Sequence, residues 1–594
     1  MKKVLIYIFL ILVLFLVGCK KDDIIDDNND DNTLNNEYSS YLDKINIPSE
    51  VSESFYLPAT VNTNNDHDIY WKSSNNDSIK ISSSITEIDG LLYNNATVKQ
   101  SGIDVVVTLT MTLTVNNVGT MEKDFEVKVK KYDLLNSDVI SFNFYAINDY
   151  HGAVLDENTG MGIIGGYLIN EKTNNPDTTI ILSSGDMFQG SAISNMTFGQ
   201  VVVEAMNKIG FDSMSLGNHE FDWGIDVIKD YNNKTSDIKS EFPIICCNVY
   251  EKETNEPVDW VDPYTVVEKA GVKIGIIGAI GAGLEDSIAY SMVKDYEFKD
   301  PMPLIKKYTK ELRSEKGCQI VVLSIHDNTS SINQMIADLS GEYQVDAIFN
   351  GHTHSVYAGE TQGTDGIYTP YIQSGSSGSN IGKVTLVYNK KTNKVEECSA
   401  ENIKVSKSLS PVNLEIKAIL DKHNEEVSVI SDQVIGVSGE SIDKVSGAKW
   451  AANVIRDYGN CQIGFINGGG IRNNAFPIEK DQEITIGKVW EIMPFDNFVK
   501  KCVMTVEDIK KAYFGNDVVS SDNIRVEGDS LYINDTLCNE GETFTVAVID
   551  YIFDKTTYPF QNSTNQEVDV LFREYLIQAI KDCVSEKGKW YLKW

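Results

Sequence analysis

At 594 residues the chain is too long for a single hydrophobic core and calls for about three to five folding units. Its 42% hydrophobic and 10% aromatic content is that of globular domains, while 86 acidic against 52 basic residues give a net charge of -34. That balance excludes a surface built to coat a nucleic-acid polymer and suits an exported protein; an anionic substrate would need a local cation, from Arg, Lys or a metal.

The chain opens "MKKVLIYIFLILVLFLVGCKK": Lys2 and Lys3, then an apolar run from Val4 to Val17. The run is too short for a comfortable membrane span and fits the core of a signal peptide. "LVGC" resembles a bacterial lipobox, which implies a leader over 1–19, lipidation of Cys19 and a protein held outside the cytoplasm on the cell membrane. Residues 20–40 are Asp- and Asn-rich and read as a solvated tether. From 41 to 131 short alternating strands separated by turns, such as "VVVTLTMTLTV", predict a β-sandwich. Trp71 followed by "KSSN", and the later "ATV", resemble bacterial Ig-like domains, which implies a spacer or a module that contacts the cell envelope.

From Asp138 apolar strands alternate with amphipathic helical stretches, an α/β layered pattern extending to about 405. Each strand runs into a polar burst: "NDYHG" (148–152), "SGDMFQGS" (184–191), "LGNHEFD" (216–222), "SIHDN" (324–328) and "NGHTH" (350–354). Open α/β sheets place their ligand sites at such carboxyl ends. Five of the seven histidines sit in these bursts; His67 and His423, in turn-rich and charged surroundings, read as solvated. Imidazoles with carboxylates suit Zn, Mn or Fe rather than Ca or Mg, and there are enough for two ions sharing an aspartate. Two such ions clamp a phosphoryl oxygen during in-line displacement. Beyond Cys19, cysteines at 246, 247, 318, 398, 461, 502, 538 and 583 form no CxxC pair; isolated thiols and one or two bridges both fit.

The ordered set "DxH…GDxxxG…GNHE…H…GHTH" resembles the calcineurin-like metallophosphoesterases, and "GNHEFD" with the long C-terminal part resembles the 5'-nucleotidase family. The resemblance implies a four-layer α/β catalytic domain over 138–405. In it Asp149, His151, Asp186 and His354 hold one metal, and Asp186, Asn218, His326 and His352 the other, with Asp186 bridging. It also implies that Asn218 is joined in catalysis by a His219–Asp222 dyad, which stabilises phosphoryl charge or protonates the leaving oxygen. A helix-capping role for Asp222 is the alternative. One departure is Asp327–Asn328 after His326, where the family has a glycine two residues on. It makes Asp327 a residue to watch and not an expected ligand.

Residues 406–430 predict a linker helix, and 431–594 an α+β domain. In "NGGGIR" (467–472) three glycines, among them Gly469, let backbone approach a ligand, and Arg472 supplies a bidentate cation. This motif and "IMPFDN" (492–497) resemble the family's nucleotide-binding domain, implying that Asn467 and Arg472 contact the nucleoside and Phe495 stacks on the base. The family's second stacking aromatic follows a glycine-rich element; here the stretch is "IDYIFDKTTYPF", which nominates Phe560, with Tyr558 as rival. The family's arginine ahead of the "GAKWAANVI" helix is missing. The expected activity is release of phosphate from nucleotides for salvage. The alternatives are a 2',3'-cyclic-nucleotide 2'-phosphodiesterase/3'-nucleotidase, a UDP-sugar hydrolase, or an inert surface binding protein.

Overall fold

The computed structural model describes residues 38–134, 136–233, 235–562 and 565–593. The expected leader, Cys19 and the tether up to residue 37 lie outside the described residues. The chain divides into two units, Met1–Tyr132 and Asp133–Trp594.

In the first unit a four-stranded sheet (Glu50–Val51, Gly119–Val129, Val105–Val115, His67–Ser73) and a three-stranded one (Phe55–Pro58, Leu91–Val98, Ile79–Ile88) share a core. The alternation in Val105–Val115 decides the faces: Val107, Leu109, Met111 and Leu113 are fully buried, while the threonines between them stay accessible. The tether ends earlier than expected, since residues 38–42 are helical and Tyr38 is buried against Ile45 and Met111. His67 is a correction. It is buried, its Nδ1 donates to Asp66 (2.7 Å), and its Nε2 accepts the Val61 N–H (3.0 Å), so the ring closes a turn instead of meeting solvent.

The second unit begins with two six-stranded sheets. One runs in the order Ile244–Ile245, Ser213–Ser215, Thr179–Ser183, Val139–Ile147, Asn380–Asn389, Lys394–Lys404, parallel up to Val139–Ile147 and antiparallel beyond. The other runs Tyr264–Lys269, Val272–Ile280, Ile320–His326, Ala347–Gly351, Tyr368–Ser374, Val356–Gln362, with a parallel centre. Phe142, Phe144, Ile180, Ile274, Val322 and Phe349 pack between the two sheets. Helices Met161–Asn174, Gln200–Ile209 and Leu414–Ser431 cover the outer face of the first sheet, and Pro301–Ser314 and Ile332–Ala337 that of the second. The result is helix–sheet–sheet–helix, and it explains why Thr179–Ser183, Ile320–His326 and Ala347–Gly351 are buried at every residue.

The helix expected as a linker is part of this outer layer. Asn413 caps Leu414–Ser431, and Ile416, Leu420 and Val427 pack into the core. His423 is therefore a second correction: it is 2% exposed and faces Glu204 of the neighbouring helix across 3.1 Å. The C-terminal domain has a five-stranded sheet, Val518–Ser520, Ile463–Asn467, Thr543–Ile549, Phe498–Thr505, Asn565–Leu571, with helices Lys444–Tyr458 and Phe572–Lys587 packed together against it. Among the described residues no two cysteines form a disulfide. Among the described residues no helix is long and apolar enough to cross a membrane.

Candidate active site and metal centre

The parallel strands of both sheets deliver their carboxyl ends to one edge, and the five polar bursts meet there. Two groups of side chains hold their ligand atoms within 4.8 Å of one another: Asp149, His151 and His354, and Asp186, His326 and His352. Asn218 joins the second group, its Oδ1 lying 2.9 Å from His352 Nδ1 and 3.1 Å from His326 Nε2.

The donor chemistry fits cations. His151 Nδ1 donates to the Gln189 carbonyl (2.9 Å) and His326 Nδ1 to the Ser184 carbonyl (2.8 Å), so each ring turns its Nε2 inward, free to serve as a ligand atom. His151 Nε2 then lies 3.0 Å from His354 Nε2, and His326 Nε2 lies 3.1 Å from Asp186 Oδ2. Acceptors that converge this closely need positive charge between them. The same demand shows in the proton affinities. Although burial pulls His326 down, the Asp186 and Asp149 carboxylates raise it to about 10, while burial, resisted by His326, pushes Asp149 up to about 7.

The backbone carries the cost of this convergence. Asp149, His151, Asp186, His352 and His354 all have positive φ, between 49° and 86°, in the region that side chains other than glycine rarely adopt. Two glycines explain why the motifs read "GNH" and "GH". A Cβ on Gly217 would meet Asp186 Oδ1 at 2.3 Å, and one on Gly351 would meet His326 Nδ1 at 2.6 Å.

Residues outside the expected set lock the geometry. Glu220, fully buried, accepts the N–H groups of Asp186, Met187 and Gly217 (each 2.8 Å), fixing the Asp186 turn against the Gly217 turn. Burial and the nearby Asp186 charge push its carboxyl up to about 7 against those donors. Glu220 stands in "GNHE", but nothing local distinguishes it from a surface glutamate. Gln373 Oε1 accepts from Thr353 Oγ1 and the Ser355 N–H, which sets the spread of His352 and His354. It comes from a strand some twenty residues on. Asn148 Nδ2 holds Asp149 Oδ2 at 2.6 Å. Asp327 is buried, belongs to neither ligand group, and accepts the Thr329 N–H to close the turn after His326.

His219 Nδ1 lies 2.8 Å from Asp222 Oδ2, and the His219 N–H donates to Asp186 Oδ1 (2.9 Å), placing the ring at the rim of the ligand groups. Burial lowers the affinity of His219 for a proton, but the Asp222 and Asp186 charges outweigh it and hold the ring above its ordinary value. Beyond it a cavity of ≈ 240 Å³ is lined by Asn218, His219, Asp222 and His352 from one domain and by Asn467, Gly469, Arg472, Phe495 and Tyr551 from the other. Phe495 lies 5.7 Å from the His219 ring and 5.5 Å from Arg472 Cζ. An adjoining cavity of ≈ 700 Å³ opens on His151 and His354, with Arg472 and Lys444 in its wall.

Comparison with known proteins agrees with this architecture. The model of the calcineurin-like phosphoesterases matches residues 142–356, and that of the 5'-nucleotidase C-terminal domain matches residues 434–515. The chain thus carries a calcineurin-like phosphoesterase domain followed by a 5'-nucleotidase C-terminal domain. Its relatives include an endonuclease of Bacillus subtilis, 27% identical over 64% of this chain and 33% of that one. The snake venom 5'-nucleotidase of Gloydius brevicauda is 25% identical over 59% of this chain and 65% of its own length. The curated relatives it matches are covered over 26% to 71% of their own length. The crystal structure of a 5'-nucleotidase precursor from Thermus thermophilus shares the fold, with a TM-score of 0.62 at 19% identity over 75% of this chain and 96% of that one.

Within this 5'-nucleotidase C-terminal domain the expected substrate residues separate. Asn467, Gly469, Arg472 and Phe495 line the cleft. Phe560 does not: it is 0% exposed and packs on Phe465 and Phe553 at 5.7 and 6.4 Å. Tyr558 turns its hydroxyl to the Asn516 carbonyl and lies outside the cavity. The aromatic that lines the cleft together with Phe495 is Tyr551, from the same "IDYIFDKTTYPF" stretch, in the helical turn that follows Thr543–Ile549. Asp517 was not expected either; its carboxylate accepts the Gly469 N–H (2.9 Å), holding the glycine turn against the cavity.

Proposed function

We propose that the chain is a phosphohydrolase that releases phosphate from nucleotides outside the cytoplasm, with a dinuclear metal centre that Asp186 would help to hold. The observation that carries this reading is the juxtaposition of two cation-demanding ligand groups with an aromatic pair, Phe495 and Tyr551, across one cleft. Two divalent ions at these groups would supply Lewis-acid stabilisation of phosphoryl charge and a nucleophile at neutral pH. Asp149, His151 and His354 would hold one ion, and Asn218, His326 and His352 the other. The remaining steps belong to the chain. Arg472 offers its guanidinium to the phosphate, Phe495 and Tyr551 sandwich a base, and His219 holds a proton at the rim of the metal groups. Oriented by Asp222, it donates that proton to the leaving oxygen or stabilises charge in the transition state.

Localisation follows from the sequence. The leader with Cys19 supports a lipid anchor, and the seven strands of residues 50–129 support an Ig-like spacer or envelope-contacting module. Nucleotide salvage is the role that such placement serves. The test is hydrolysis of 5'-AMP, 3'-AMP, 2',3'-cyclic AMP and UDP-glucose by metal-loaded protein, with His219→Ala as control. Turnover of 5'-AMP well above the variant supports the reading. Turnover of the cyclic substrate alone would redirect it to a phosphodiesterase, and inertness toward all four after Mn or Zn loading would overturn it.

A further inference from the structure

We infer that Arg573 is a positioning residue that sets affinity for the nucleobase by fixing the Phe495 jaw of the cleft, without touching substrate itself. The inference rests on the nucleotide reading given above.

Arg573 is the second residue of helix Phe572–Lys587, lies on the side of the C-terminal domain behind the cleft, and is 3% exposed. Its guanidinium is directed at the short segment that carries Phe495 and at the helix just before it. Nη1 donates to the carbonyls of Met493 (3.2 Å) and Phe495 (3.1 Å), Nη2 pairs with the Asp496 carboxylate, and Cζ stacks 3.3 Å from the Trp490 ring centroid. The segment lies between helix Ile486–Ile492 and strand Phe498–Thr505, where neither a helix nor a sheet ladder supplies donors for those carbonyls. A planar fork with several donors can serve three acceptors at once while stacking on an aromatic face; a lysine ammonium cannot.

The partners of Arg573 bracket Phe495, whose ring faces His219 and Arg472 across the cleft. The same segment is tied to the opposite jaw. Asn497 Nδ2 donates to Asp550 Oδ1 (2.9 Å), and that oxygen also accepts the Tyr551 N–H (2.7 Å). The Asn497 carbonyl accepts the Phe572 N–H (2.8 Å), so the start of Arg573's own helix is the common anchor. The separation of the two aromatic rings is thereby set by a polar scaffold, and Arg573 contributes half of its contacts. None of the polar contacts of Arg573 involves a residue of the metal groups, so loss of the fork should act through Phe495 and leave the metal ligands in place.

The experiment compares wild type, Arg573→Lys, Arg573→Met and each in a Phe495→Ala background. Substrates are p-nitrophenyl phosphate, which has no nucleobase, and the panel nucleotide turned over fastest. Thermal unfolding checks that each variant is folded. Arg573→Lys should raise KM for the nucleotide about fivefold or more, because loss of a base–aromatic stack weakens binding about 5- to 150-fold. It should leave kcat within about twofold and kcat/KM for p-nitrophenyl phosphate unchanged, and with Phe495 already removed it should add nothing further. An unchanged nucleotide KM in folded Arg573→Lys, an equal fall for both substrates, or an additive loss on Phe495→Ala would each overturn the inference while leaving nucleotide hydrolysis standing. If Arg573→Met fails to fold, the lysine variant, which keeps the charge, decides. Absence of nucleotide turnover by wild type would overturn the underlying reading, and this inference with it.

Discussion

Tyr551 lines the cleft where the sequence suggests Phe560, and truncating each to alanine separates their roles. The Phe560 ring has no exposed surface and is enclosed by Phe465, Phe553 and Tyr558, so Phe560→Ala leaves a core cavity. Loss of a buried phenyl ring costs about 3–5 kcal/mol, a large share of the stability of a domain of this size. Tyr551 lines the cleft and is half-buried, so its truncation costs the core less. What it removes is one face of a base sandwich, worth about 1–3 kcal/mol, which raises the nucleotide KM about 5- to 150-fold. Denaturant unfolding followed by tryptophan fluorescence reads the first effect, since Trp450 and Trp590 lie in this core. Steady-state kinetics at a temperature where both variants are folded reads the second. A Phe560→Ala protein of undiminished stability with a raised KM, beside a Tyr551→Ala protein with a normal KM, would refute the assignment.

Removal of His219 should lower kcat by about 10²- to 10⁴-fold while metal content stays at the wild-type level, measured by elemental analysis alongside turnover. Asp222 holds the His219 ring above its ordinary proton affinity. If the protonated ring is the working acid, activity falls as pH rises through that elevated pKa. Asp222→Asn should therefore shift the alkaline limb of the kcat–pH profile to lower pH, and a limb that stays in place or moves up would contradict the role. His352 and His354 belong to different ligand groups. Alanine at either should take the bound metal from two toward one ion per chain, whereas loss of both ions from either variant would argue against separable sites. Glu220→Ala leaves the buried N–H groups of Asp186, Met187 and Gly217 without their acceptor, at about 1–3 kcal/mol each, and should weaken metal affinity measured by competition with a chelator.

The chain's arrangement was legible wherever local pattern and chemistry coincide. Period-two alternation marked Val105–Val115, and continuous apolar runs marked the buried parallel strands. The His, Asp and Asn bursts that follow those strands marked the metal-binding edge, because a parallel sheet points all its carboxyl ends the same way. Composition alone misjudged His67 and His423. Each lies among polar neighbours in sequence but is folded inward, onto the Val61 N–H and against Glu204 respectively.

What the sequence by itself determined is the set of atoms that converge, since ligand identity is a property of side-chain type and of position after a strand. Only the tertiary structure decided what holds them and what faces them. Glu220 and Gln373 bind backbone groups of turns that pack together only once the two sheets are stacked. Tyr551 replaces Phe560 because a single helical turn, Asp550–Phe553, sends one aromatic to the cleft, while the chain beyond it carries the next into the core. Arg573, about eighty residues from Phe495 along the chain, reaches it because the start of its helix packs against the Phe495 segment. Local pattern is silent about such contacts, because what stabilises them is the exclusion of water from a place that exists only after the domains have closed around it.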